Sequence, residues 1–124
     1  MKETAYWSWF IIAGIVMFVL LGLHMAVMHL TGFLQLFNPA GGEAIAWENV
    51  VYRGRNMFFT VTYIILLGAA LYHGFYGLRT ILFELGLKGQ AERSLTVLLW
   101  IVGIILFCIG TYAAIAARSL QTVL

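Results

Sequence analysis

Charge is scarce in this sequence, and cysteine and proline occur once each. Lysine and arginine together number 7 and the acidic residues 5. Charged residues thus make up 10% of the 124, while hydrophobic ones make up 63%. A soluble domain needs more charge than that to cover its surface. The net charge of +2 comes with no basic run and no basic stripe interleaved with aromatics, so nucleic acid is set aside as a partner. One cysteine, Cys108, cannot make an internal disulfide, a zinc site or a complete iron–sulfur site. In its apolar run it is expected to be a small packing residue. No small-residue cleavage pattern follows the long apolar run after Lys2. The first helix is therefore expected to stay in the mature protein rather than to leave as a signal peptide.

What the chain has instead is length without charge. Residues 4–42, 56–78 and 94–117 contain no Asp, Glu, Lys or Arg, and each stretch exceeds the roughly 20 residues that cross a hydrocarbon core. The expected fold is an all-α integral membrane protein of one domain, with three transmembrane helices at about 5–37, 55–85 and 91–118. Trp7 and Trp9 mark one interface, and Asn38-Pro39 with Gly41-Gly42 break the first helix. The segment 39–56 is the longest polar stretch. It carries Glu43, Glu48, Arg53 and Arg55, with Trp47 and Tyr52 as interface anchors, and part of it is expected to be an amphipathic helix lying on the membrane. A short link at 86–90 carries Lys88. Three spans put the termini on opposite sides. Lys2, Arg79, Lys88 and Arg93, against Arg53, Arg55 and Arg118, assign the N-terminus to the cytoplasmic face of a cytoplasmic (inner) membrane by the positive-inside rule. Glycines at Gly14, Gly22, Gly68, Gly74, Gly77, Gly103 and Gly110 allow close helix approach, within the chain and against a partner subunit.

All three histidines, His24, His29 and His73, fall in the expected spans. A polar ring in hydrocarbon needs a partner, and ligation and proton handling are the two functional readings. His29 lies near enough to the far interface to be simply wetted. At a rise of about 1.5 Å per residue, His24 is roughly 26 Å beyond Trp7 and His73 roughly 17 Å above Glu84. The two are then expected to differ in depth by something near 9 Å and not to share a metal ion. Each could supply one axial ligand to a different haem, with the second ligand on a partner chain. There is no C-x-x-C-H, so such a haem is non-covalent. With no carboxylate or cysteine close by in either helix, zinc is short of ligands, whereas imidazole is an ordinary haem ligand.

Residues 71–86, LYHGFYGLRTILFELG, are the most informative stretch. Gly77 lies one turn beyond His73 and about 40° round the helix, where the missing side chain leaves space for a flat macrocycle. Glu84 returns to within about 20° of His73, near the interface. Arg79 is about 120° round, long enough to reach a haem propionate. The plainer alternative is that Arg79 and Glu84 are snorkelling end residues.

These residues resemble the smaller, D-type membrane anchor of succinate dehydrogenase and fumarate reductase (respiratory complex II). A second-helix motif of the form H-G-x-x-G-[LM]-R-x-I-[ILV]-x-[DE] is typical there, and His73-Gly74-Phe75-Tyr76-Gly77-Leu78-Arg79-Thr80-Ile81-Leu82-Phe83-Glu84 matches it. His24-Met25-Ala26-Val27-Met28 fits the first-helix pattern H-[LM]-x-V-M. Size, three spans and the short second link agree, so the likeness covers nearly the whole chain. It implies half of a haem-binding helical bundle, completed by a C-type partner anchor and served by a flavoprotein subunit and an iron–sulfur subunit. It also implies haem b, two per complex with one ligand each from this chain, and a quinone. His73 would ligate the haem nearer the cytoplasm and His24 the distal one, with His29 as runner-up ligand. The second ring nitrogen of each ligand is expected to bond a helical carbonyl one turn back. Glu84 would help protonate a reduced quinone. Many relatives follow the acidic residue with a tyrosine that hydrogen-bonds the quinone. Leu85 stands there instead, so the bond must come from the partner or another residue, or the quinone lies elsewhere. Two other readings stay open: a haem-free structural anchor, and a small proton-conducting subunit using His24, His73 and Glu84. The absence of broken half-helices speaks against the latter.

Overall fold

The computed structural model describes residues 2–30 and 38–120. Three long helices carry it: α1 (Lys2–His29), α3 (Met57–Glu84) and α4 (Gln90–Ala116), with a shorter α2 (Trp47–Arg55) between the first two. A single 3₁₀ turn, Ala117–Ser119, follows α4. The helices α1 and α3 have 28 residues each, about 42 Å of length against a hydrocarbon core of about 30 Å. Both project beyond the membrane core at their ends. Apolar residues cover the whole circumference of these helices rather than one stripe, the pattern of a helix that meets lipid or another apolar helix on every side.

The helix α3 lies between α1 and α4 and packs antiparallel to each. Little is enclosed by this arrangement. Ala13 and Val27 are the buried residues of α1, Phe59 and Thr60 those of α3, and none of α4 is buried. Phe18 is 83% exposed and Tyr112 75%. Apolar surface on that scale is covered by lipid or by a partner, not by water. Cys108 is likewise exposed, on α4. It is thus a lipid- or partner-facing residue and not one packed inside the chain.

The expected first span ended at 37. The described helix ends at His29, and residues 31–37 lie outside the described part. The expected second span began at 55, whereas α3 begins at Met57. Asn56 is the reason: it adopts an extended conformation (φ −80°, ψ 123°) and its side chain accepts the Phe58 N–H at 2.9 Å. One residue thus ends α2 and caps α3. At the other end of α3 the Gly86 N–H bonds the Phe83 carbonyl and the Leu87 N–H bonds the Leu82 carbonyl, with Gly86 at φ +105°. That pairing is a Schellman stop, which a left-handed glycine makes inexpensive.

The amphipathic helix expected in 39–56 is present as α2, but polar side chains share its inward side and apolar ones its outward side. Asn49, Val51 and Arg53 point inward, while Trp47, Val50 and Tyr52 are exposed. The inward side is a polar knot. The Asn49 side chain accepts the Ala40 N–H and donates to the Gly41 and Glu43 carbonyls. Arg53 donates to Asn38 Oδ1 and to the Ala44 carbonyl, and Asn38 donates to the Val27 carbonyl at 3.0 Å. Arg53, placed by sequence only in the polar segment 39–56, is 4% exposed. The outward apolar residues suit the membrane interface.

Candidate functional site

The centre of the molecule is the α1–α3 seam around His73. Its ring stacks on Phe10 with centroids 4.1 Å apart and planes 6° from parallel. Nδ1 lies 3.0 Å from the Phe10 carbonyl oxygen. A carbonyl only accepts, so Nδ1 is the donor in this contact, and the tautomer it selects is the one whose lone pair is on Nε2. The sequence led us to expect an anchoring carbonyl one turn back on the same helix. The carbonyl belongs instead to the neighbouring helix, because α1 presents Phe10 and Gly14 directly against His73.

Gly14 makes this approach possible. A Cβ there would stand 3.0 Å from His73 Cε1 and 3.2 Å from Nδ1. Gly14→Val should therefore push the ring off Phe10 and destabilise the seam by about 1–3 kcal/mol, the usual cost of overpacking. Gly22 has nothing within 4 Å of its corresponding position, so Gly22→Ala should not destabilise. Thermal unfolding of the two variants in detergent checks both, and equal midpoints would mean that Gly14 does not hold the seam.

Gly77 faces the same ring. A Cβ at Gly77 would meet Phe10 Cε2 at 3.4 Å, and Tyr76 lies against Phe10 at 5.3 Å. The space expected beside Gly77 for a macrocycle is taken by Phe10, a residue to which no sequence signal pointed.

His24 lies far from His73. It sits in a small crevice with Leu20, Val27, Phe59 and Leu66, its ring edge-on to Tyr63 at 6.3 Å and 75°. Gly14 faces His73 and Tyr63 faces His24, so ten residues separate the two levels on either helix. That is roughly 15 Å in depth, where 9 Å was expected. The discrepancy arises because Glu84 is not level with Trp7. Arg79 reaches Glu3, so α3 runs past Trp7 toward the surface. The conclusion that the two imidazoles cannot share an ion is thereby strengthened. Among the described residues no cluster of three or more His, Cys, Asp or Glu could hold a metal ion by itself.

The remaining candidates are dispersed. His29 is the last residue of α1 and exposed. Glu84 is the last residue of α3 and exposed. Arg79 turns toward α4. Its Nε donates to Thr96 Oγ1 at 3.0 Å, its guanidinium lies 4.3 Å over the Phe83 ring, and Glu3 stands 3.6 Å away. The guanidinium thus bridges Thr96 of α4 and Glu3 of α1, and these contacts lend no support to a propionate contact beside His73.

Donor chemistry at His73 fits an axial ligand. The half-buried ring is fixed by one hydrogen bond and one stacked face, and its Nε2 lone pair lies in the ring plane, which a ring stacked on the face does not block. His24 offers the same donor without a polar anchor. Among the described residues no second imidazole faces either ring.

Comparison with known proteins gives one match. The model of the family described as succinate dehydrogenase/fumarate reductase transmembrane subunit matches residues 1–112. No curated protein and no solved structure matches the chain.

Proposed function

From a chain that belongs to the succinate dehydrogenase/fumarate reductase transmembrane subunit family, and is therefore a multi-pass membrane subunit of that complex, we propose an electron-transfer anchor that binds haem b and helps form the quinone site. The observation that carries this reading is the anchoring of His73, whose Nδ1 lies 3.0 Å from the Phe10 carbonyl oxygen while its ring stacks on Phe10. Haem b would supply one-electron storage between the soluble redox centres and a quinone. This chain's contribution is to orient two imidazoles about 15 Å apart in depth and to keep water from them with the apolar seam. Phe10 fixes the His73 ring, and Tyr63 holds the edge of His24.

The opposing ligands would come from a C-type partner anchor, since each imidazole stands alone here. The iron–sulfur and flavoprotein subunits would cap the end that carries Glu84 and the 86–90 link, on the cytoplasmic face of the inner membrane. Leu85, 77% exposed at that end, offers a quinone no hydrogen bond, so the donor there comes from the partner or from another residue. Glu84, the exposed last residue of α3, would pass a proton at the surface.

The contact of Phe10 with Gly77 favours a second reading, a haem-free anchor in which His73 only packs. Haem content decides between them. Pyridine-haemochrome titration of the intact complex should give two haems per complex, and this chain extracted without partners should be colourless. A complex with no haem selects the structural anchor. A stably haem-loaded preparation of this chain alone would replace the shared-ligand arrangement by a homodimer.

A further inference from the structure

The side of the bundle away from Phe10 is open. Between α3 and α4 runs a cavity of about 310 Å³, bounded by Gly68 and Arg79 on one helix and by Phe107 and Thr96 on the other. Eleven residues separate each pair, so the slot is roughly 16 Å long, close to half of the about 30 Å hydrocarbon core. It therefore runs from one interface to the middle of the bilayer.

Its two ends differ in chemistry. The midplane end is apolar, closed by Gly68 and the Phe107 ring. The interfacial end holds Arg79 and Thr96, and Arg79 is the one charged side chain among the described residues of the lining. Arg79 is 19% exposed along its side chain, and its carboxylate partner Glu3 is 70% exposed at 3.6 Å. A pair so exposed on one side contributes little, and the guanidinium keeps donors for a stronger anion. Spread over its length, the cavity is too narrow for a helix, which with its side chains needs about 10–12 Å. An extended hydrocarbon chain is the apolar body of the right form.

We propose that the α3–α4 slot binds an anionic glycerophospholipid of the leaflet on the N-terminal side, its phosphate on Arg79 and one acyl chain running inward to Phe107. A phosphate accepts two parallel N–H bonds from a guanidinium, and the chain replaces a void that would otherwise cost packing on both helices. The occupant is distinct from a quinone, whose neutral carbonyl gains less from a fixed positive charge.

The test uses the intact complex in phosphatidylcholine vesicles doped with phosphatidylglycerol that carries a diazirine near its chain end. After illumination, adducts should map to the inner end of the slot around Ile104 and Phe107. Unlabelled phosphatidylglycerol should suppress them, and unlabelled phosphatidylcholine or a short-chain ubiquinone should not. Arg79→Gln should lower the labelling roughly tenfold, the loss expected for one charge-assisted hydrogen bond, and Arg79→Lys should recover part of it. Equal competition by phosphatidylcholine would reduce the lipid to ordinary annular contact. Protection by ubiquinone would make the slot a quinone site, and absence of adducts there in the wild-type complex would assign it to a partner helix. Each of these three results overturns the proposal, and the wild-type competition decides it even if the Arg79 variants fail to assemble.

Discussion

Replacing His73 with leucine is expected to remove one b-type haem from the assembled complex while leaving assembly intact. No other imidazole can take over. His24 is ten residues away along either helix, roughly 15 Å, and His29 is farther still. Leucine keeps an apolar body against Phe10, and the Phe10 carbonyl lies inside α1, where it has a helical partner available. The structural loss should therefore be limited to one hydrogen bond and one stacked contact, about 1–2 kcal/mol. The spectroscopic loss should be complete for the haem at that level. A reduced-minus-oxidised spectrum after dithionite, together with a haem count on the same sample, separates these effects. An unchanged spectrum would remove His73 from the ligand set and leave it as a packing residue against Phe10.

The separation between the two histidine levels explains what could and could not be read from the residues. Three charge-free stretches are enough to give three spans, because a bilayer leaves the backbone only helices to choose from at this length. The stop at Gly86 and the break at Asn56 are local, and the residues that make them stand where the chain turns. The mutual register of α1 and α3 is not local. It depends on Gly14 receiving His73 and on Arg79 reaching Glu3, contacts between residues about 60 or more apart. Depths counted from Trp7 and Glu84 as if these were level are therefore short by several ångströms.

Phe10 shows the same limit at the site itself. The sequence puts Gly77 on the His73 side of α3 as a position that opens space, but a helical wheel cannot say what enters it. The occupant in this chain is an aromatic ring from α1. The orientation of Arg79 was open in the same way. Its angle from His73 on the wheel holds, yet only the position of α4 decides that it meets Thr96.

Arg53→Leu is expected to have the largest effect on stability of any substitution at the end opposite the N-terminus. The sequence placed Arg53 in the polar segment 39–56 and no further. In the fold Arg53 is buried, and its donors are spent on Asn38 Oδ1 and the Ala44 carbonyl. Asn38 in turn donates to the Val27 carbonyl near the C-terminus of α1. The guanidinium thus joins α2 to α1 through one intermediate amide, and the negative end of the α1 dipole favours a positive charge nearby. No carboxylate pairs with it among the described residues, so removing the charge strands no opposite charge. What it strands is two neutral acceptors, at about 1–3 kcal/mol each, for a total of about 2–6 kcal/mol. Arg53→Lys should recover only part of this, because one ammonium cannot reproduce the two-pronged geometry of the fork. The measurement is the thermal midpoint of the purified complex in detergent for Arg53→Leu, Asn38→Leu and the double variant. If the pair acts as one unit, the double variant should lose clearly less than the two single losses added together. Strict additivity, or an unchanged midpoint in Arg53→Leu, would mean that α2 is held by its outward apolar face on the membrane and not by the buried arginine.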